Sequence, residues 1–177
     1  MLTVLLGGAR SGKSAWAERL GRRAAGPVTY LATCPRIDGD ADLAHRIGRH
    51  RADRPDAWVT IEEELDLAGA VRRTGPGLLV IDCLTVWVGN LQFHGRTEVE
   101  TLAASADALV AVRERDGDTV AVSNEVGLSI VPADADSRGY RDRLGRVNQE
   151  WAGAADRALF LVAGRALPLH HPDEILR

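Results

Sequence analysis

Lysine is almost missing from this sequence. Of 22 basic residues, only Lys13 is not an arginine. Cysteine is scarce as well. The two present, Cys34 and Cys83, have neither CxxC spacing nor a metal-ligand pattern around them. They are expected to be reduced thiols rather than a disulfide or a metal site, which points to a cytoplasmic protein. There is no surplus of positive charge, the formal net charge being −3, so a nucleic-acid partner is not expected. No apolar run approaches the roughly 20 residues that a membrane-spanning helix needs, so no membrane association is expected. Leu2 to Leu6 is too short for a signal peptide and lacks its basic flank. Repeats, low-complexity segments and linkers are also missing, which predicts one domain over residues 1–177 with a full core.

What is present alternates. Apolar runs at Leu2–Leu6, Val28–Ala32, Trp58–Ile61, Leu78–Ile81, Thr119–Ser123, Ala158–Ala163 and Ala166–Leu169 read as strands. Helical spacing is seen at Ser14–Ala24, Asp40–Arg51, Asp66–Arg73, Leu84–Gln92, Val99–Arg115 and Asp136–Ala155. Alternation of this kind predicts the α/β class, a mostly parallel sheet flanked by helices. The last two strands, joined at Gly164-Arg165, are close enough for an antiparallel hairpin at the sheet edge.

Between the first strand and the first helix lies Gly7-Gly8-Ala9-Arg10-Ser11-Gly12-Lys13-Ser14, a full G-x-x-x-x-G-K-[ST] match in the strand–turn–helix setting of a P-loop. Glycines let the backbone curl so that successive N–H groups face a phosphate, and the helix directs its positive end at the same anion. Lys13 is expected on the outer phosphates and the Ser14 hydroxyl on Mg²⁺. A chain that has replaced lysine everywhere else and keeps it here fits a site needing a compact ammonium rather than a planar fork. Asp82, ending the apolar run Leu78–Ile81, is the candidate carboxylate near Mg²⁺, against the plainer alternative of a helix-capping aspartate. A metabolite kinase and a regulatory GTP-binding switch both use such a loop. The switch is disfavoured: Ser123-Asn124-Glu125-Val126 lacks the lysine and aspartate of N-K-x-D, and Asp142-Arg143-Leu144-Gly145 falls inside a predicted helix.

A second segment, Asp42 to Arg54, holds His45, Arg46, Arg49, His50, Arg51 and Arg54. On a helix, Arg46, Arg49, His50 and Asp53 share a face. Guanidiniums beside His50 would keep its imidazole neutral and nucleophilic, next to groups that bind phosphate. On spacing alone, a solvated basic helix face explains these residues better.

The GGARSGKS loop is followed in order by Arg46-Ile47, His50, Arg54-Pro55, Trp58, Ser123-Asn124-Glu125-Val126-Gly127, Ile130-Val131-Pro132 and Gly145-Arg146-Val147-Asn148-Gln149. Together, over Leu2 to about Gly164, these resemble the bifunctional adenosylcobinamide kinase / adenosylcobinamide-phosphate guanylyltransferase family. The resemblance implies a RecA-like P-loop NTPase fold, ATP and GTP as substrates with Mg²⁺, and adenosylcobinamide and its phosphate as acceptors. It further implies a homo-oligomer, a trimer. It makes His50 the nucleophile that carries GMP, with Lys13 as the other catalytic group. Nucleotide contacts would fall on Gly7, Gly8, Ala9, Arg10, Ser11, Gly12, Lys13, Ser14, Thr33, Cys34, Pro35, Arg51, Ala52, Asp53, Arg54, Glu62 and Asp82. Asn124 and Glu125 follow a strand end, where α/β ligand sites gather. Two departures stand out: aspartate at position 82 where the family often has glutamate, and Arg49 where a second histidine can occur.

Overall fold

A computed structural model describes residues 1–35 and 54–176. Among these residues, seven strands form one sheet in the order β3-β2-β4-β5-β1-β6-β7. They are β1 (Leu2–Gly7), β2 (Val28–Ala32), β3 (Val59–Glu62), β4 (Leu78–Asp82), β5 (Thr119–Asn124), β6 (Arg157–Val162) and β7 (Arg165–Leu169). The helices are α1 (Lys13–Arg23), α2 (Leu67–Arg72), α3 (Leu84–Phe93), α4 (Glu98–Glu114), α5 (Ala135–Ala154) and a short α6 (Pro172–Ile175). Strands β1 to β6 are mutually parallel, and β7 runs antiparallel to β6. Apart from α6, which was not expected, every described element was legible within about two residues, the usual scatter of element ends. The predicted helix Asp40–Arg51 lies outside the described residues.

The apolar runs are continuous because the sheet is covered on both sides. Successive side chains of a strand point to opposite faces. Thus Val4, Leu31, Leu79, Ile81 and Ala121 join one core with α2 to α5, while Leu5, Tyr30, Val80, Val120 and Val122 join a second core under α1. Two tryptophans fill the larger core. Trp87 and Trp151 are fully buried, and each indole N–H is satisfied, by the Leu65 carbonyl at 2.9 Å and the Ser105 hydroxyl at 3.1 Å. Helix starts follow local chemistry. Thr97 and Glu100 form a reciprocal capping box ahead of α4, and Asp134 caps α5 through the Ser137 N–H at 2.7 Å.

Two expectations need correction. Trp58 does not open β3: its N–H bonds the Pro55 carbonyl at 3.0 Å in a turn, and its ring lies against Gly21 of α1. The hairpin joint is Ala163-Gly164 rather than Gly164-Arg165. Both residues have positive φ, 50° and 74°, and Val162 pairs with Arg165. That is the left-handed two-residue turn whose twist suits a hairpin.

Candidate functional site

Because β1 to β6 are parallel, their C-terminal ends share one edge of the sheet. That edge is where an open α/β sheet places its ligand crevice. The P-loop leaves β1 there, with Thr33-Cys34-Pro35 beyond β2, Glu62 closing β3, Asp82 closing β4, and Asn124-Glu125 at the end of β5. Register aligns the carboxylates: Ala32 pairs with both Glu62 and Asp82. The edge therefore carries two acids two strands apart, while the P-loop lies past β5.

The P-loop backbone is built on two glycines. Gly7 has φ +150°, and a Cβ on it would sit 2.2 Å from the Leu161 carbonyl oxygen of β6. Gly12 caps α1 at φ 100° and, having no side chain, leaves the first-turn N–H groups of the helix without a side-chain acceptor. Such groups at a helix N-terminus form an anion site. Arg10 also adopts positive φ, 57°, and is exposed. Ser11 is buried, its N–H meeting the Gly8 carbonyl at 3.3 Å. Lys13 is buried as well. Its ammonium donates to the Gly8 carbonyl at 2.7 Å, and burial lowers its pKa, with Cys83 and Asp82 pulling the other way. The lysine thus spans the loop it belongs to, within the electrostatic reach of Asp82.

Neighbouring strands brace the loop. The Glu125 N–H donates to the Gly7 carbonyl at 3.0 Å, and the Gly164 N–H of the hairpin turn donates to the Ser11 carbonyl at 3.0 Å. The Asn148 side-chain amide of α5 donates to the Asn124 carbonyl at 3.0 Å. Thr85 accepts the Asn124 N–H at 2.6 Å. None of Thr85, Asn148 and Gly164 was expected to support the site. Only the strand order reveals that they reach it.

Asp82 has an unforeseen partner in Tyr30. The phenol, buried in β2, donates to Asp82 Oδ2 at 2.5 Å. Burial, reinforced by the Asp82 charge, raises its pKa and keeps it protonated as a donor. The Arg54 guanidinium lies 3.5 Å from the Tyr30 ring centroid, a cation–π contact, and Trp58 stacks on the same ring at 6.4 Å.

Thr33 is fully buried, with its hydroxyl already engaged. It donates to the Cys83 carbonyl at 2.7 Å and accepts the Cys83 N–H at 2.9 Å, tying β2 to the segment after β4. The amide of Asn90 holds the Thr33 carbonyl at 2.8 Å. Thr33→Val keeps the shape and strands the Cys83 N–H, while the Cys83 carbonyl retains the Trp87 N–H at 3.2 Å, so a stability loss of about 1–3 kcal/mol is expected in denaturant unfolding. A loss below about 0.5 kcal/mol would show that the clasp contributes little. Neither cysteine is in a disulfide, and desolvation pushes the Cys83 thiol up to about 12, leaving it neutral and inert.

The candidate nucleophile His50 and its neighbours Arg51, Ala52 and Asp53 lie outside the described residues. Among the described residues no cluster of His, Cys, Asp and Glu could hold a metal by itself, and no helix is long and apolar enough to cross a membrane. The hard oxygen donors of Ser14 and Asp82 still suit Mg²⁺. That ion takes one or two protein oxygens and completes its shell with phosphates and water.

Over residues 3–169 the chain matches the family described as Cobinamide kinase / cobinamide phosphate guanyltransferase. It is 41% identical over 172 residues to the bifunctional adenosylcobalamin biosynthesis protein CobP of Pseudomonas aeruginosa, covering 96% of this chain and 97% of that protein. It is 35% identical over 178 residues to CobU of Escherichia coli, covering 93% and 97%. Among solved structures it resembles an ATPase from the type III secretion system of pathogenic bacteria, with a TM-score of 0.58 and 13% identity over 91% of this chain and 52% of that one. It also resembles the RadB recombinase, with a TM-score of 0.51 and 14% identity over 90% and 73%. These two likenesses show the fold, that of a P-loop NTPase.

Proposed function

The chain belongs to the cobinamide kinase / cobinamide phosphate guanyltransferase family, a family of transferases, and from that premise we propose that it performs two transfers at one P-loop. In the first, the aminopropanol hydroxyl oxygen of adenosylcobinamide attacks the γ-phosphorus of ATP or GTP. The hydroxyl proton leaves and the nucleoside diphosphate departs. In the second, the His50 imidazole attacks the α-phosphorus of GTP and the bond to the β-phosphate breaks, releasing pyrophosphate. An oxygen of adenosylcobinamide phosphate then attacks the guanylyl-histidine. The phosphorus–nitrogen bond breaks, giving adenosylcobinamide-GDP and restoring His50. Imidazole suits this role, being both nucleophile and leaving group.

The observation that carries the reading is the cradle. The uncapped start of α1, the curled Gly7–Gly12 backbone and the buried Lys13 ammonium converge where a triphosphate would lie. Arg54, Arg51, Glu62 and Thr33-Cys34-Pro35 are the further nucleotide contacts in this reading, with Ala52 and Asp53 beside them. Ser14 and Asp82 would hold Mg²⁺, which when bound neutralises phosphate charge. Apart from the nucleophile His50, every protein group named acts by positioning or by electrostatics, as phosphoryl transfer requires.

The test follows label from GTP, marked at the α- or γ-phosphate, onto denatured protein in the absence of corrinoid. Retention of α-label alone, lost on acid treatment and absent from His50→Ala, is expected. If GTP binds and no α-label is retained, the His50 step is wrong, and a P-loop kinase of another small metabolite becomes the better description.

A further inference from the structure

Tyr30 belongs to the second core by its ring and to the candidate site by its hydroxyl. In the parallel register of β2 and β4, Tyr30 pairs with Val80 and Ala32 with Asp82. Tyr30 and Asp82 are therefore diagonal neighbours on one face of the sheet, within reach of an aromatic side chain. The ring is held from two directions. The Arg54 guanidinium lies 3.5 Å from its centroid, and Trp58 stacks at 6.4 Å with the planes 22° apart. Trp58 is itself wedged against α1, where a Cβ on Gly21 would come within 2.4 Å of its ring. With the ring fixed, the place of the hydroxyl oxygen is fixed too, 2.5 Å from Asp82 Oδ2. A buried phenol needs an acceptor of some kind. What distinguishes this one is that a charged carboxylate at the crevice edge is chosen, in a charge-assisted bond.

We infer that Tyr30 is a positioning residue for the Asp82 carboxylate: its hydroxyl occupies Oδ2 and orients the group so that Oδ1 is the oxygen presented to the nucleotide-bound divalent cation. This rests on the reading that Asp82 holds Mg²⁺. Among the described residues, no other hydrogen bond engages that carboxylate. Its aim therefore depends on a phenol clamped by Arg54 and Trp58. Partners of this kind around a metal-binding carboxylate typically change metal affinity by roughly 10–100-fold when removed.

Tyr30→Phe is the informative variant, because it keeps the ring contacts and removes only the hydroxyl. The measurement is Mn²⁺ binding, followed by electron paramagnetic resonance, to the full chain carrying a non-hydrolysable GTP analogue; no turnover is needed. Tyr30→Phe is expected to weaken Mn²⁺ binding roughly tenfold and to add nothing when combined with Asp82→Asn. If Asp82→Asn weakens Mn²⁺ binding while Tyr30→Phe leaves it unchanged, the positioning role is overturned and the Asp82 reading stands. An additive effect of the two substitutions also overturns it, since Tyr30 would then act elsewhere. If Asp82→Asn itself leaves binding unchanged, the metal reading of Asp82 falls, and the role of Tyr30 falls with it.

Discussion

Gly7→Ala is expected to lower stability by about 3 kcal/mol or more, a melting-temperature drop of roughly 6–12 °C for a chain of this size. Two independent costs meet at this position. The backbone φ of +150° is one that L side chains rarely adopt, and the new Cβ would stand 2.2 Å from the Leu161 carbonyl oxygen. That oxygen is backbone, in the ladder that joins β6 to β1, so it cannot rotate away. Relief requires β1 and β6 to part or the loop to unwind, and either would spoil the phosphate cradle. Gly8→Ala is the internal control. Its Cβ would meet nothing within 4 Å and its φ is not positive. A calorimetric scan placing Gly7→Ala within about 2 °C of the parent would show that the loop yields far more easily than its geometry implies.

Lys13 is the site of the second large effect. Lys13→Met is expected to reduce phosphoryl transfer by about two to three orders of magnitude, the scale for removing a preorganised donor from a developing phosphoryl charge. Stability should change little, since Lys13 is buried at a desolvation cost that methionine does not share. The more discriminating substitution is Lys13→Arg. The ammonium reaches the Gly8 carbonyl at 2.7 Å inside the loop that contains it, leaving little space for a planar fork. In a chain otherwise without lysine, this one position is expected to reject the residue used everywhere else. Steady-state kinetics showing Lys13→Arg within a few-fold of the parent would remove that explanation for the sole lysine.

The fold was legible because its signals are local and redundant. Continuous apolar strands and the helical spacing between them each declare themselves within a few residues. The P-loop was legible for the same reason, being one contiguous stretch with a strand before it and a helix after it. Tyr30 was not, although it lay in a correctly bounded strand. Its meaning depends on β4 lying beside β2 with Ala32 level with Asp82, and nothing in residues 28–32 encodes that. Thr33 shows the converse. It was assigned to the nucleotide by resemblance, and its hydroxyl bridges the N–H and carbonyl of Cys83, a tertiary bond that no motif announces. Trp58 was misplaced into a strand because tryptophan favours strands. The close packing on Gly21 that sets its position comes from a helix more than thirty residues earlier.

The phosphate loop precedes both strands that flank β1 by more than a hundred residues: β5 begins at Thr119 and β6 at Arg157. During synthesis, Leu2 to Leu6 leaves the ribosome as an apolar segment whose first hydrogen-bonding partner is more than a hundred residues away. The Ser11 carbonyl waits longer still, for the Gly164 N–H. Such long-range closure is intrinsically slow. The nucleotide-gripping part of this protein is thus made well before the strands that hold it and is among the last to take shape, so a chain arrested before β6 would carry the complete GGARSGKS sequence without the structure that gives it a purpose.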